Sequence, residues 1–219
     1  RVLFRSHGLA VAPSDPKVIY VGSVHDSVYN LQFTLNGAHI FRSSDGGQTF
    51  SETSGGFPID TETSINAIII HPTDPDTAYA MTSLHETSTA IGIYKTTNGG
   101  GSWAPVNNGL DVLTNDLQLD PSDPETLYVA TESGVYKTID GAESWRVLSI
   151  DEPGTPIIDL AIDPLNPLVL YAISPHNLYR TKDGGATWYP ASLGLPLLNA
   201  RRAFSTYSTS DHRWHRIYG

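Results

Sequence analysis

Two short signatures alternate four times along the chain, always in the same order. The first is Pro13-Ser14-Asp15-Pro16, with counterparts Pro72-Thr73-Asp74-Pro75, Pro121-Ser122-Asp123-Pro124 and Pro164-Leu165-Asn166-Pro167. Three residues after each second proline stands an apolar–tyrosine pair: Ile19-Tyr20, Ala78-Tyr79, Leu127-Tyr128 and Leu170-Tyr171. The second signature opens on an apolar–aromatic–basic triplet, Ile40-Phe41-Arg42, Ile93-Tyr94-Lys95, Val135-Tyr136-Lys137 and Leu178-Tyr179-Arg180. An eight-residue box follows each triplet and runs Ser43 to Phe50, Thr96 to Trp103, Thr138 to Trp145 and Thr181 to Trp188. Self-similarity at a period of about 40–45 residues marks a repeat architecture in which each copy buries its apolar surface against the next.

Each copy reads as four short strands. The first is apolar: Leu9–Val11, Ala67–Ile70, Leu117–Leu119 and Leu160–Ile162. Its density of Ile, Leu and Val predicts burial on both faces. The proline segment cannot donate to a ladder and is therefore the turn that ends this strand. The apolar–tyrosine pair lies on the second strand and the aromatic–basic triplet on the third. The box turns the third strand into the fourth, because Asp-Gly and Asn-Gly suit tight hairpins. Its closing Phe50, Trp103, Trp145 or Trp188 offers a large ring to a neighbouring copy.

The box resembles the Asp-box, or bacterial neuraminidase repeat, Ser/Thr-x-Asp-x-Gly-x-Thr-Trp. Asp45, Asn98, Asp140 and Asp183 occupy its acidic column, and the resemblance covers about residues 8–195. Departures are Asn98 for Asp, Ala142 for Gly and Phe50 for Trp. The fold implied is an all-β propeller of four-stranded antiparallel blades, at about 8–53, 65–107, 115–149 and 157–191. Such propellers usually have more than four blades, so an open fragment of a larger ring is expected, its partners including further blades of the parent chain. The ends differ from the body. Residues 1–6 read as a translated sequencing-adaptor string, and residues 201–219, where the repeat stops, read as a frameshifted or truncated end.

In this reading all eight signature turns lie on one face, with the box carboxylates as turn caps. Function is then expected on the opposite face, among the irregular loops. There His25, Asp26 and Tyr29, then His85 and Glu86, fall in the two longest loops, and Glu132 and His176 in the two short ones. The pairs His25-Asp26 and His85-Glu86 invite a metal or acid–base reading, but adjacent residues in one loop lack fixed ligand spacing. They are read as polar ligand-binding candidates, with no metal and no cofactor. Tyr29, Phe33, Phe57, Asp60 and Glu62 suggest a sugar groove. The loops that lead from one blade into the next carry Asp111, Asp116, Asp151 and Asp159 as candidates for a hydrolytic carboxylate pair.

Charge narrows the partners. Residues 7–200 hold seven basic against twenty-two acidic side chains, a net of −15 within a whole-chain charge of −10. Such a body repels a phosphate backbone, so no nucleic acid is expected. No apolar run reaches the length of a membrane span. A sialidase would need an arginine triad, yet the body has only Arg42, Arg146 and Arg180, all within or beside the repeat columns. Sortilin-type receptors carry a cysteine-rich segment, and this chain has no cysteine. The expectation is a non-catalytic exported module, extracellular or periplasmic, that binds a polysaccharide or a protein. The alternative is a fragment of a glucanase-like glycoside hydrolase.

Overall fold

In a computed structural model the described residues are 6–23, 39–57, 64–83, 92–110, 113–150, 154–193, 205–208 and 213–216. Blade 1 comprises β1 (Ser6–Val11), β2 (Ile19–Ser23), β3 (Ile40–Ser43) and β4 (Ser51–Glu52). Blade 2 comprises β5 (Ser64–Ile70), β6 (Ala78–Ser83), β7 (Gly92–Thr96) and β8 (Ala104–Pro105). Blade 3 comprises β9 (Thr114–Leu119), β10 (Leu127–Thr131), β11 (Gly134–Thr138) and β12 (Arg146–Leu148). Blade 4 comprises β13 (Asp159–Ile162), β14 (Leu170–Ile173), β15 (Leu178–Thr181) and β16 (Tyr189–Pro190). Each blade is a separate antiparallel sheet with its strands in chain order. Among the described residues, β17 (Ser205–Ser208) and β18 (Arg213–Arg216) pair only with each other.

The core lies between blades rather than within them. Tyr20 and Ile40 of blade 1 pack with Ile65, Ile68 and Trp103 of blade 2. Tyr79, Met81 and Ile93 of blade 2 pack with Leu117, Leu127 and Trp145 of blade 3. Tyr128 and Val135 of blade 3 pack with Leu160, Leu170 and Tyr179 of blade 4. Three apolar clusters therefore correspond to three seams, as expected of a stack whose members hold one another in place.

Burial corrects one expectation. The strand buried on both faces is not the first of each blade but the second, and only in the two flanked blades. Every residue of β10 is buried, as is Ala78–Thr82 of β6, whereas β2 and β14 alternate. The first strands alternate too, and on β1 Leu9 and Val11 remain 65% and 51% exposed. A second strand is central in its sheet, so it loses water on both faces once a blade covers each side.

The box closes the same way in all four copies. In blade 4, Thr181 Oγ1 donates to Asp183 Oδ1 at 2.7 Å, and Asp183 accepts from Thr187 N at 2.9 Å and from Thr187 Oγ1 at 2.5 Å. Gly185 N returns to Thr181 Oγ1 at 3.0 Å. Blades 1 and 3 repeat these bonds around Asp45 and Asp140. In blade 2 the Asn98 amide keeps them, accepting from Ser102 N and Thr96 Oγ1 and donating to Ser102 Oγ. A further backbone bond ties each box to the proline turn of its own blade: Gly46 N to Lys17 O, Gly99 N to Asp76 O, Gly141 N to Glu125 O and Gly184 N to Leu168 O. Both signature turns thus share one end of the blades.

These bonds favour the ionised carboxylate. The Ser144 and Thr138 hydroxyls hold Asp140 at a pKa of about 2, and Thr187, followed by Thr181, does the same for Asp183. A depressed folded pKa contributes stability present above the unfolded value of 3.8 and lost as pH falls through about 2. Carboxyl chemical shifts of Asp140 and Asp183 should therefore titrate near pH 2, and stability should fall between pH 4 and pH 2. Midpoints near 4 would mean that the box hydrogen bonds do not persist in solution.

Candidate functional site

The opposite end of blades 3 and 4 brings together a group of hydrogen-bonding side chains. Glu132 sits in the tight turn between β10 and β11, which Thr131 Oγ1 closes by donating to Gly134 O at 2.8 Å. The Glu132 carboxylate accepts from Asn115 Nδ2 at 2.9 Å, and the same amide donates across the seam to Ile157 O at 2.9 Å. His176 lies exposed in the corresponding turn of blade 4, which Ser174 organises by accepting from His176 N and Asn177 N. The turn geometry places Glu132 and His176 where the sequence puts them, on successive blades.

Asp116 and Asp159 are found on strands β9 and β13 rather than in the loops expected of them. They occupy one column, five residues before the first proline of their blades, where blades 1 and 2 have Gly8 and Ala67. Asp116 Oδ2 accepts from Gln118 Nε2 at 3.0 Å and from Leu160 N at 3.1 Å. Asp159 Oδ1 accepts from the same Leu160 N at 3.0 Å. Two carboxylates that share one N–H stand within about 6 Å of each other, close to the spacing of paired acids in glycosidases. Burial raises the pKa of Asp116, and the like charge of Asp159 pushes the same way.

Other expected residues separate. Phe57 is 5% exposed and packs on Tyr94 at 4.5 Å and Trp103 at 6.1 Å, so it belongs to the first seam and not to a sugar groove. His25, Asp26, Tyr29, Phe33, Asp60, Glu62, His85, Glu86, Asp111 and Asp151 lie outside the described residues. Two residues escaped the sequence reading: His39, whose Nδ1 meets Glu52 Oε1 at 2.7 Å on the loop end of blade 1, and Asn115. The His39 contact lowers the Glu52 pKa. His39 belongs to no repeated column, and Asn115 shares its column only with Asn66, where blades 1 and 4 have His7 and Ile158. Among the described residues no three His, Asp or Glu converge as metal ligands, and no helix is long and apolar enough to cross a membrane.

No family model and no curated protein sequence matches the chain. Solved structures do. An ancestral GH74 enzyme aligns at 24% identity and a TM-score of 0.67 over 89% of this chain and 26% of its own. YCF48 bound to D1 peptide aligns at 17% identity and a TM-score of 0.56, over 87% of this chain and 56% of its own. An auxiliary nutrient binding protein from Bacteroides thetaiotaomicron aligns at 13% identity and a TM-score of 0.58, over 91% of this chain and 44% of its own. The chain spans about a quarter of the length of the GH74 enzyme. At these identities the likeness establishes the β-propeller fold alone.

Proposed function

We propose that the chain is a non-catalytic propeller module that binds a glycan at the blade end bearing Asn115, Asp116, Glu132 and Asp159. The observation that carries this reading is the contrast between the two ends. Around Asp45, Asp140 and Asp183 the carboxylate oxygens already accept the bonds of their own turns. At the other end Glu132 and Asp159 are exposed beside Asp116 and accept through one oxygen each, from Asn115 and from Leu160 N, which suits them to the hydroxyls of a sugar. An exported setting, extracellular or periplasmic, belongs to the same proposal and suits a chain without cysteine.

Calorimetric titration with soluble xyloglucan and β-glucan oligosaccharides tests it. Binding without release of reducing ends is expected, weakened about tenfold or more by Asp159→Asn or Asp116→Asn. Binding left untouched by both substitutions would place the ligand elsewhere.

The second reading is a glycoside hydrolase, favoured by one observation: Asp116 holds its proton more tightly than an ordinary carboxyl and stands beside another acid. Reducing-end release that Asp116→Asn abolishes would establish that reading and displace the first.

A further inference from the structure

The three seams share one polar latch. On each blade the basic residue of the third strand lies over the tyrosine of the second: Arg42 over Tyr20 at 5.6 Å, Lys95 over Tyr79 at 5.4 Å and Lys137 over Tyr128 at 4.9 Å. Both groups then donate to the following blade. Tyr20 Oη reaches Pro75 O at 3.2 Å, Tyr79 Oη reaches Gly141 O at 3.3 Å and Tyr128 Oη reaches Gly184 O at 3.3 Å. Arg42 Nη2 bonds Asp76 Oδ1 at 2.6 Å, Lys95 Nζ bonds Gly141 O at 2.9 Å and Lys137 Nζ bonds Gly184 O at 3.3 Å. The recipient is always the box or proline turn of the next blade.

Blade 4 keeps the donor half of this latch. Arg180 lies over Tyr171 at 5.5 Å, and its Nε is buried with no partner among the described residues. Arg42 Nε is likewise unpaired, but there the guanidinium closes on Asp76. Beside Arg180 opens a groove of about 560 Å³ lined by Lys182, Asp183, Thr187, Tyr189, Pro190 and Ala191. Ala191 occupies the column of Thr53 and Leu148, which meet Gly99, Gly100 and Gly185 of the following box. The groove is therefore the imprint that a further box turn would fill.

The receiving half differs among blades at one column, the residue directly after the second proline. Blades 2, 3 and 4 place Asp76, Glu125 and Leu168 there, and blade 1 places Lys17. Asp76 and Glu125 stand beside the incoming base: a Cβ on Gly141 would lie 2.4 Å from Glu125 Oε2 and 2.9 Å from Lys95 Nζ. At Gly46 of blade 1 the same space is open, with nothing within 4 Å. An arginine entering it would find Lys17 in the column that supplies Asp76 to Arg42. Phe50 of blade 1 also lacks the indole N–H that Trp103 and Trp145 donate backward to Thr53 O and Val106 O at 2.8 Å.

We propose that the Tyr171–Arg180 face of blade 4 docks a further blade of the same repeat that carries an acidic side chain directly after its second proline. Blade 1 is not that mate, whether of the same molecule or of a second copy, because like charge meets like charge at Arg180 and Lys17.

The test appends a copy of residues 64–110, with its Asp76 equivalent, behind Gly219 of the full chain and compares it with the same fusion bearing Asp→Lys at that copied position. The acidic fusion should unfold at least about 3 °C higher, and Arg180→Ala in the original blade 4 should erase the difference. Equal unfolding temperatures, or equal release of the two appended blades by protease, would overturn the proposal. Sedimentation of the 219-residue chain itself supplies an independent readout: a monomer is expected. A head-to-tail oligomer that Arg180→Ala dissolves would show that blade 1 does accept blade 4 and would equally overturn it.

Discussion

Trp145→Ala is expected to cost about 3–5 kcal/mol of unfolding free energy, the range for removing a large ring from a packed core. The side chain is 6% exposed and fills the cluster that joins Tyr79 and Met81 of blade 2 to Leu117 and Leu127 of blade 3. Its Nε1 donates to Val106 O at 2.8 Å, so truncation opens a cavity and also leaves a carbonyl without its donor. Trp145→Phe keeps most of the apolar contact and should lose about 1–2 kcal/mol, chiefly that hydrogen bond. The same change at Trp103, 3% exposed and bonded to Thr53 O, should match Trp145. At Trp188 the cost should be smaller, because that ring is only partly buried and its Nε1 has no acceptor among the described residues. The closing ring is therefore buried in a seam at Trp103 and Trp145, whereas Trp188 is only partly buried and Phe50 is 44% exposed. Urea titration followed by tyrosine and tryptophan emission measures the series; equal losses at 145 and 188 would contradict this account of the seams.

Gly109→Ala should destabilise by on the order of 3 kcal/mol through a different mechanism. Gly109 has φ = +88°, and a Cβ there would lie 2.3 Å from the backbone oxygen of Trp145. Backbone cannot rotate aside as a side chain would, so the seam between blades 2 and 3 must open. Asn108 O accepts from Trp145 N at 2.8 Å at the same point, and that bond would be strained as well. Gly46→Ala is the control. It shares the left-handed backbone, at φ = +77°, but a Cβ there meets nothing within 4 Å. Its cost should stay near the intrinsic left-handed penalty of about 1–2 kcal/mol. The difference between the two variants isolates the collision, and equal losses would mean that the seam yields without resistance.

Ala142 shows how a repeat tolerates a departure from its own pattern. It adopts φ = +73° where Gly47, Gly100 and Gly185 stand in the other boxes. Its methyl is fully buried in the seam between blades 2 and 3. Burial of one methyl offsets much of the left-handed strain, so a substitution that breaks the local rule is accommodated by packing.

The legible parts of this protein are those decided within about ten residues. Asp or Asn before Gly, with a hydroxyl two residues ahead and another four behind, specifies the box turn wherever it occurs. Proline without an N–H ends the first strand. Strand order inside a blade follows, because each hairpin is local. The candidate site was legible only in part: Glu132 and His176 occupy the turns their spacing predicts, but Asp116 and Asp159 looked like loop acids. A bulge beside Asp116 and the pairing of Asp159 with Ile173 draw them onto strands instead. Asn115, the residue that ties Glu132 to blade 4, recurs only as Asn66, a column too sparse to mark it.

The four copies of the box, by themselves, determined the blades, since hydrogen bonds of short span depend only on residue type and local backbone. Which surfaces those blades bury was decided by tertiary structure alone. β6 and β10 lose water on both faces because each has a neighbour on both sides, while equivalent residues of β2 and β14 do not. The pairing of Asp116 with Asp159, and the raised pKa that goes with it, likewise arises from the seam. Desolvation and charge proximity depend on atoms brought together across blades, and no repeat column records them.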